Sequence, residues 1–244
     1  MSVYTLLNKD FITSMLTVDD PWCSSHGSDN GSDDLNAGLI YYALAYSARA
    51  KTCVCLGSGG GFVPRMLRQA QRDLDIEGSR TFLVDGATHV TEERKNVWGS
   101  PYWLDENSTF RKNYPEIELV LKLTEDAYNE FFVPEKISID YLHIDADHHY
   151  DGAKRDWDQY RTLVPDNGVI TLHDTTNYRD PCGVPQLVDE IREEGVYDIV
   201  NFPLAYGLAI AKKILTKEAY MAASKASRTT KPGLGVHKGA QKQA

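Results

Sequence analysis

A short stretch of the chain, YLHIDADHHYDG at residues 141–152, is crowded with side chains that can do chemistry. Half of its twelve residues are Asp or His, and they end an apolar run. A second apolar run ends in the same way, at His173 and Asp174. If these runs are neighbouring strands, Asp145 shares one small space with His173 and Asp174. Crowded carboxylates repel each other, so this arrangement requires a cation or a proton.

The donor types limit the choice of cation. Oxygen ligands suit Mg²⁺ or Ca²⁺, and an added histidine broadens the choice to Mn²⁺, Fe²⁺ or Zn²⁺. Simpler roles remain open for several neighbours. Asp147 or Asp151 is suited to capping the following helix, and Asp174 to capping a loop. His149 is expected on the surface, and His143, inside the strand, as a packed core residue.

A glycine-rich turn precedes this region, in the stretch VCLGSGGGF. Gly57, Gly59, Gly60 and Gly61 lie between an apolar run and a helical pattern, where glycine lets the backbone turn tightly and approach a ligand. The first N–H groups of the helix are free to bind that ligand. The alternative is a tight turn without a ligand. The dinucleotide pattern fails because its third glycine is Phe62, and no Gly-Lys-Ser/Thr completes a Walker motif.

The spacing Gly57-x-Gly59-x-Gly61 resembles the first motif of class I S-adenosylmethionine-dependent methyltransferases. In that family the cofactor ribose is held by an acid at the end of the second strand, which is Asp85 here. One position departs from the pattern, because Cys55 stands where the family often has an acid. The resemblance implies that the cofactor is bound by Gly57, Ser58, Gly59, Gly61, Asp85, Glu125 and Asp126.

The Asp/His stretches sharpen this resemblance. IDADHHYDG, a helix, and then LVPDNGVITLHDT resemble the metal-dependent O-methyltransferases that act on sugars and other natural products. Some members of that group are labelled as hydroxylases of antibiotic precursors. The resemblance covers roughly residues 35–214.

The match assigns roles to individual residues. It implies that Asp145, His173 and Asp174 hold a divalent metal, with Mg²⁺ as the expected ion. Asp147 falls on the general-base position, and His148 is the alternative base. An acceptor hydroxyl bound to the metal would have a lowered pKa.

The elements that must position these residues alternate between strand and helix. Buried strands followed by helices predict an α/β fold, Rossmann-like and doubly wound, with a mostly parallel seven-stranded sheet. Ligands of such sheets bind beyond the carboxyl ends of the strands. A closing antiparallel hairpin is predicted. The seven predicted strands are KTCVCLG, RTFLVD, IELVLKL, DYLHID, GVITLHD, YDIVNFP and YGLAIAKKIL.

Three segments are predicted along the chain. Residues 1–32 form an irregular lid that contains Ser24, Ser25 and His26, residues 33–215 form the methyltransferase domain, and residues 216–244 form a helix end and a disordered tail. The first domain helix is expected to be capped near Asp33 or Asp34, and a polar helix is expected from Thr91. Trp98, Tyr102, Trp103 and Phe110 form either an aromatic wall for a substrate ring or core packing.

Charge and cysteine content exclude several classes of protein. The net charge of −9 argues against a nucleic-acid binder and against docking on anionic membranes. No apolar run is long enough to span a bilayer. The four cysteines show no zinc pattern and are expected to be reduced, which favours a cytoplasmic location. A homo-oligomer remains open.

The combined prediction is a methyltransferase that moves a methyl group from S-adenosylmethionine to a hydroxyl oxygen of a sugar or another small molecule, with a divalent metal. One alternative is a non-catalytic S-adenosylmethionine-binding partner of another enzyme. A second is an oxygenase-associated role, which the hydroxylase-labelled members suggest. The third is a nicotinamide-dependent oxidoreductase, which the missing third glycine disfavours.

Overall fold

A computed structural model describes residues 9–16, 26, 34–86 and 102–215 of the chain. The strands are β1 Thr52–Leu56, β2 Arg80–Val84, β3 Glu118–Val120, β4 Tyr141–Ile144, β5 Val169–His173, β6 Tyr197–Phe202 and β7 Leu208–Lys213. The α-helices are α1 Lys9–Met15, α2 Ala37–Ala48, α3 Phe62–Asp73, α4 Thr109–Asn113, α5 Thr124–Ala127, α6 Tyr150–Tyr160 and α7 Val184–Glu194. Short turns of 3₁₀-helix cover Tyr102–Leu104 and Arg161–Leu163, and a π-helical turn covers Tyr128–Phe132.

The strands form a single seven-stranded sheet in the order β3-β2-β1-β4-β5-β7-β6. The first five are parallel, whereas β7 is antiparallel to both β5 and β6. The predicted fold is therefore confirmed, including the closing hairpin. The chain reverses direction across the sheet after β3, and ligand crevices of open α/β sheets form beside such reversals.

Two apolar cores lie on opposite faces of the sheet, because successive strand side chains point to opposite sides. In β1, Cys53 and Cys55 belong to the core formed with α2 and α3. Val54 and Leu56 belong to the core formed with α6 and α7. Their complete burial explains why β1 reads as a continuous apolar run.

The first domain helix begins later than the sequence predicts. Helix α2 starts at Ala37, after Asn36, whose φ of 40° lies in the left-handed region. Asp34 does not cap it: its carboxylate accepts the backbone N–H of Asn36 at 3.0 Å in a turn before the helix. A local side-chain bond has replaced the expected cap.

Some predictions lie outside the described residues. These are the helix from Thr91, Trp98, Ser24 and Ser25, and the tail after residue 215. Contacts divide the chain into a unit Met1–Lys213, which holds the sheet, and a unit Ile214–Ala244. None of the described helices has the length and apolar character needed to cross a bilayer.

Candidate active site

Four strands place the predicted site residues in one row. The last paired residues of β2, β1, β4 and β5 lie level with one another. The residues at the strand ends, Asp85, Gly57, Asp145 and His173, therefore lie side by side at the carboxyl edge of the sheet. Asp174 follows directly, so the predicted convergence of Asp145 with His173 and Asp174 is present.

Gly57 lies where only glycine fits. Its φ is +67°, and a Cβ there would overlap the carbonyl oxygen of Asp145 and lie 2.6 Å from Cα of Ala146. Its N–H donates to the carbonyl of Val84 at 2.8 Å. The glycine turn is thus pressed against the end of β4, next to the Asp/His residues. Gly59 and Gly61 also have positive φ, at 51° and 81°.

Two aromatic side chains pack on the other glycines of the turn. The indole N–H of Trp103 donates to the carbonyl of Gly59 at 3.1 Å. A Cβ on Gly61 would lie 2.6 Å from the ring of Phe110. Both aromatic side chains are fully buried. Trp103 and Phe110 are therefore core residues that support the turn, as one of the two sequence interpretations expected.

The remaining predicted cofactor residues are Ser58 in the turn, Asp85 after β2, and Glu125 and Asp126 after β3. Ser58 is buried, and its hydroxyl interacts with the thiol of Cys55. The backbone N–H of Asp85 donates to Val120 at 3.1 Å, which fixes the end of β2. Glu125 and Asp126 are exposed in the first turn of α5. Glu125 pairs with Arg155 at 3.6 Å.

The Asp/His cluster centres on the carboxylate of Asp145, whose side chain is 10% exposed. Its Oδ1 lies 3.2 Å from Nδ1 of His173 and 3.3 Å from Nε2 of His148. The same two nitrogens lie 3.3 and 3.2 Å from Oδ2 of Asp174. Two imidazoles and two carboxylates therefore alternate in a closed ring.

The carboxylates and imidazoles of this ring shift each other's pKa values. Burial opposes the charge of Asp145, but His173, His143 and His148 lower the pKa of its carboxyl well below the usual value. Burial also opposes protonation of His173, yet Asp145 and Asp174 raise its pKa to about 10. His148 has a raised pKa against burial because of the same two carboxylates. Imidazolium protons thus balance the carboxylates.

A second pair of imidazoles faces the other oxygen of Asp145. Nε2 of His143 lies 3.7 Å from Oδ2, and Nε2 of His26 lies 3.8 Å from it. Burial lowers the pKa of both rings, so they are neutral near pH 7. His143 is bonded to Thr171 at 2.9 Å, and His26 is bonded to the Tyr41 hydroxyl at 3.1 Å.

Asp174 has a strained backbone. Its φ of +59° is in the left-handed region, which is uncommon for residues other than glycine but tolerated by Asp. Asn177 holds it there, by donating its backbone N–H to the Asp174 carbonyl at 3.1 Å and its amide to Oδ1 at 2.8 Å. The strain directs a buried carboxylate into the cluster.

Asp147 lies at the rim of the site. Its Oδ1 accepts the backbone N–H of His149 at 3.0 Å and contacts Nδ1 of that ring at 2.8 Å. Burial is outweighed by these bonds, which lower the pKa of Asp147. The carboxylate lies against Gly152, where a Cβ would overlap it. His149 is exposed, as expected, and Asp151 lies within the first turn of α6.

Sequence reasoning missed the two imidazoles at Oδ2. The sequence predicts His143 only as a core residue. It is fully buried, but its ring also faces Asp145. His26 was assigned only to a lid. It stacks on Phe62, with ring centroids 5.6 Å apart. No local pattern marks His26, because its contacts are made with residues distant in the sequence.

Comparison with known proteins gives one family match. The model of a family described as a methyltransferase domain matches residues 54–175, which is half of the chain. A curated relative, the uncharacterized protein y4gI of Sinorhizobium fredii, is 26% identical over 191 residues. The match covers 78% of this chain but only 20% of y4gI, so the chain spans about a fifth of that relative's length.

Solved structures share the fold at low sequence identity. An O-methyltransferase from Bacillus cereus in complex with SAH has a TM-score of 0.56 and 13% identity, covering 86% of this chain and 93% of that one. The O-methyltransferase TomG from Streptomyces achromogenes, in complex with SAM, has a TM-score of 0.53 and 14% identity, covering 85% and 96%.

Proposed function

The chain belongs to the methyltransferase-domain family, and we propose that it transfers the methyl group of S-adenosylmethionine to a hydroxyl oxygen of a sugar or another small molecule. Family membership agrees with the resemblance to class I methyltransferases. The nature of the acceptor and the involvement of a divalent cation are parts of the proposal.

The observation that carries the proposal is the contact between the glycine turn and the Asp/His cluster. Gly57 lies against the backbone of Asp145 and Ala146, so the predicted cofactor turn and the predicted catalytic edge adjoin. A methyl donor on the turn would face an acceptor on the cluster across one short gap. Methyl transfer depends mainly on such positioning, because the sulfonium is already activated.

The residues of the turn fit this cofactor. The backbone at Gly57, Gly59 and Gly61 is left-handed, which favours glycine. These three positions therefore carry no Cβ that would block a ligand. The hydroxyl of Ser58 is buried within the turn, beside the thiol of Cys55. Asp85 ends the strand beside Gly57, and a carboxylate there suits two ribose hydroxyls. The Bacillus cereus and Streptomyces achromogenes proteins, which share this fold, hold SAH and SAM.

The cluster fits a divalent cation. Asp145, His148 and Asp174 each offer a donor atom within 4.8 Å of the others, and so do His26, Asp145 and His173. The surrounding carboxylates raise the pKa of His148 and His173, which indicates a site that attracts positive charge. A bound cation would supply Lewis acidity toward an acceptor hydroxyl.

Asp147 is suited to receive the acceptor's proton. Its carboxylate is 44% exposed at the rim, and the bonds from His149 keep it ionised. His148, the alternative, has its Nε2 engaged by both Asp145 and Asp174. A base must be within hydrogen-bond reach of the proton it removes, and Asp147 borders the same edge without being part of the ring.

Methyl transfer is tested with S-adenosylmethionine carrying a labelled methyl group. The full chain is incubated with a panel of sugars, macrolides and catechols, with and without a chelator. Labelled ethers of a hydroxyl acceptor that disappear with the chelator would support the proposal. Binding of the cofactor without label transfer to any acceptor would instead favour the non-catalytic partner protein. The oxidoreductase alternative is not favoured by the family match.

A further inference from the structure

Asp145 is surrounded by nitrogen. His148 and His173 approach its Oδ1 at 3.3 and 3.2 Å. His143 and His26 approach its Oδ2 at 3.7 and 3.8 Å. Four imidazole rings from separate parts of the chain converge on one carboxylate. The resemblance to metal-dependent O-methyltransferases led to Mg²⁺, an ion that takes oxygen ligands. The observed donors do not match that ion.

The two rings at Oδ2 are too far away for hydrogen bonds. Nε2 of His143 is buried and has no hydrogen-bond partner in the described residues. Its other nitrogen is bonded to Thr171, and that of His26 to Tyr41. If Nδ1 of His26 donates to Tyr41, its Nε2 turns a lone pair toward a carboxylate oxygen, which is repulsive unless a cation lies between them. A metal-ligating histidine is oriented in just this way, through a bond from its second nitrogen.

The spacings agree with shared coordination. With bonds of about 2.1 Å, two neighbouring ligands of one ion lie about 3.0–3.4 Å apart and opposite ligands about 4.2 Å apart. His173 and His148, at 3.2 and 3.3 Å from Asp145, match neighbouring ligands, whereas His143 and His26, at 3.7 and 3.8 Å, fall between the neighbouring and the opposite separations. Both groups of three donors contain an imidazole, and the group formed by His26, Asp145 and His173 contains two. No all-oxygen group is found among the described residues.

We propose that this centre binds a first-row transition-metal ion, such as Mn²⁺, Fe²⁺ or Zn²⁺, in preference to Mg²⁺, and that His26 is one of its ligands. Imidazole suits these ions, whereas Mg²⁺ prefers carboxylate and water. His26 thereby ties the segment before α2 to the catalytic edge. The inference rests on the proposed function only in taking this cation to be the one that assists methyl transfer.

The first test examines the wild-type chain loaded with Mn²⁺ by pulsed electron paramagnetic resonance. Nitrogen couplings from coordinated imidazole are expected. A spectrum with couplings to water protons alone would overturn the proposal. This measurement needs no variant, so it stands even if a substitution at a buried histidine prevents folding.

The second test compares Zn²⁺ and Mg²⁺ affinities by calorimetry. Most sites bind Zn²⁺ more tightly, so the informative quantity is how the ratio changes on substitution. We expect H26Q and H173E each to reduce the preference for Zn²⁺ by about tenfold or more. H149Q, at an exposed imidazole outside both donor groups, is the matched control. An unchanged ratio in H26Q would overturn its role as a ligand, and an unchanged ratio in both would overturn the mixed centre.

S-adenosylhomocysteine is titrated into the same metal-free preparations. Binding of this ligand confirms that each variant is folded at the glycine turn. Nitrogen couplings without such binding would leave the metal centre standing and remove the proposed methyl transfer. Binding of S-adenosylhomocysteine without nitrogen couplings would leave the proposed methyl transfer standing and remove the imidazole-ligated metal centre.

Discussion

Two buried carboxyl groups, one at the end of β4 and one within α6, have pKa values shifted in opposite directions. Asp145, at the end of β4, is surrounded by imidazoles that lower the pKa of its carboxyl well below the usual value, despite burial. Asp156, inside α6, is fully buried, and a hydrogen bond with Thr124 does not offset that burial. Burial raises the pKa of Asp156 to about 7. One carboxyl keeps its charge, and the other keeps a proton until the pH is neutral.

The difference shows that partners, more than depth, decide whether a buried acid is ionised. Rings from β4, β5, the β4–α6 loop and position 26 converge on Asp145, and those of His173, His143 and His148 lower the pKa of its carboxyl. So many elements converging on one group is typical of a functional site. Asp156 has no such surroundings, which makes it the natural control for the active carboxylate.

The largest effect is expected from D145N, which keeps the shape of the side chain and removes its charge. Methyl transfer should fall by about a thousandfold, because the group that organises the ring is lost. Cation affinity should fall as well, while S-adenosylhomocysteine affinity stays within about threefold because the turn is intact. Rates and titrations of D145N and D156N, measured in parallel, check this. Equal loss of activity in the two variants would erase the distinction between them.

D156N tests the protonation of Asp156 through the pH dependence of the free energy of unfolding. The pKa of Asp156 is raised in the folded state, so its stabilising protonation is complete below about pH 4 and is lost as the pH rises through about 7. A shift from 3.8 to about 7 corresponds to at most about 4 kcal/mol. Relative to wild type, D156N should therefore gain stability between about pH 5 and about pH 8.

Urea unfolding at these two pH values measures the change. E118Q, at an exposed pair with Arg80 in the edge strand β3, is the control for altered net charge. If D156N and wild type lose stability in parallel as the pH rises, then Asp156 is not protonated in the folded protein.

D147N is expected to lower the rate of methyl transfer by about a hundredfold, the usual effect of removing a general base. Affinities for the cation and for S-adenosylhomocysteine should not change, because Asp147 belongs to neither donor group. D151N, in the first turn of α6, is the matched control on the same loop and helix. A larger loss in H148Q, with cation affinity unchanged, would transfer the role of base to His148.

D85N should weaken binding of S-adenosylhomocysteine by about tenfold, because a carboxylate that accepts two hydroxyl bonds is replaced by an amide. Calorimetry on the metal-free protein measures this, with E118Q again as the control for altered net charge. An affinity equal to wild type would show that Asp85 does not hold the ribose. This is the smallest of the expected effects, since other contacts along the turn remain.

The fold follows from local sequence, and so does the placement of Asp145, His148, His173 and Asp174 in the cluster. Buried runs that end at Gly57, Asp85, Asp145 and His173 predict parallel strands with those residues along one edge, and register places them there. The contacts of His26 were not predictable, because its partners Tyr41 and Phe62 are distant in the sequence. The start of α2 was missed for a local reason, the turn at Asp34.

Several predictions stay predictions: the boundaries of the three segments, the cytoplasmic location, a homo-oligomer and the roles of Glu125 and Asp126. The last two side chains are exposed beside α6, where Glu125 meets Arg155. A cofactor ring there would compete with that ion pair, which is weak at the surface.

The central claim is that a methyl donor binds at the glycine turn beside the Asp145 cluster. Calorimetric titration of the metal-free full chain with S-adenosylhomocysteine tests it most directly. The account predicts saturable binding to one site, weakened in D85N and retained in D145N. The absence of binding in wild-type protein that unfolds cooperatively would contradict it, and would reduce Gly57–Gly61 to a structural turn.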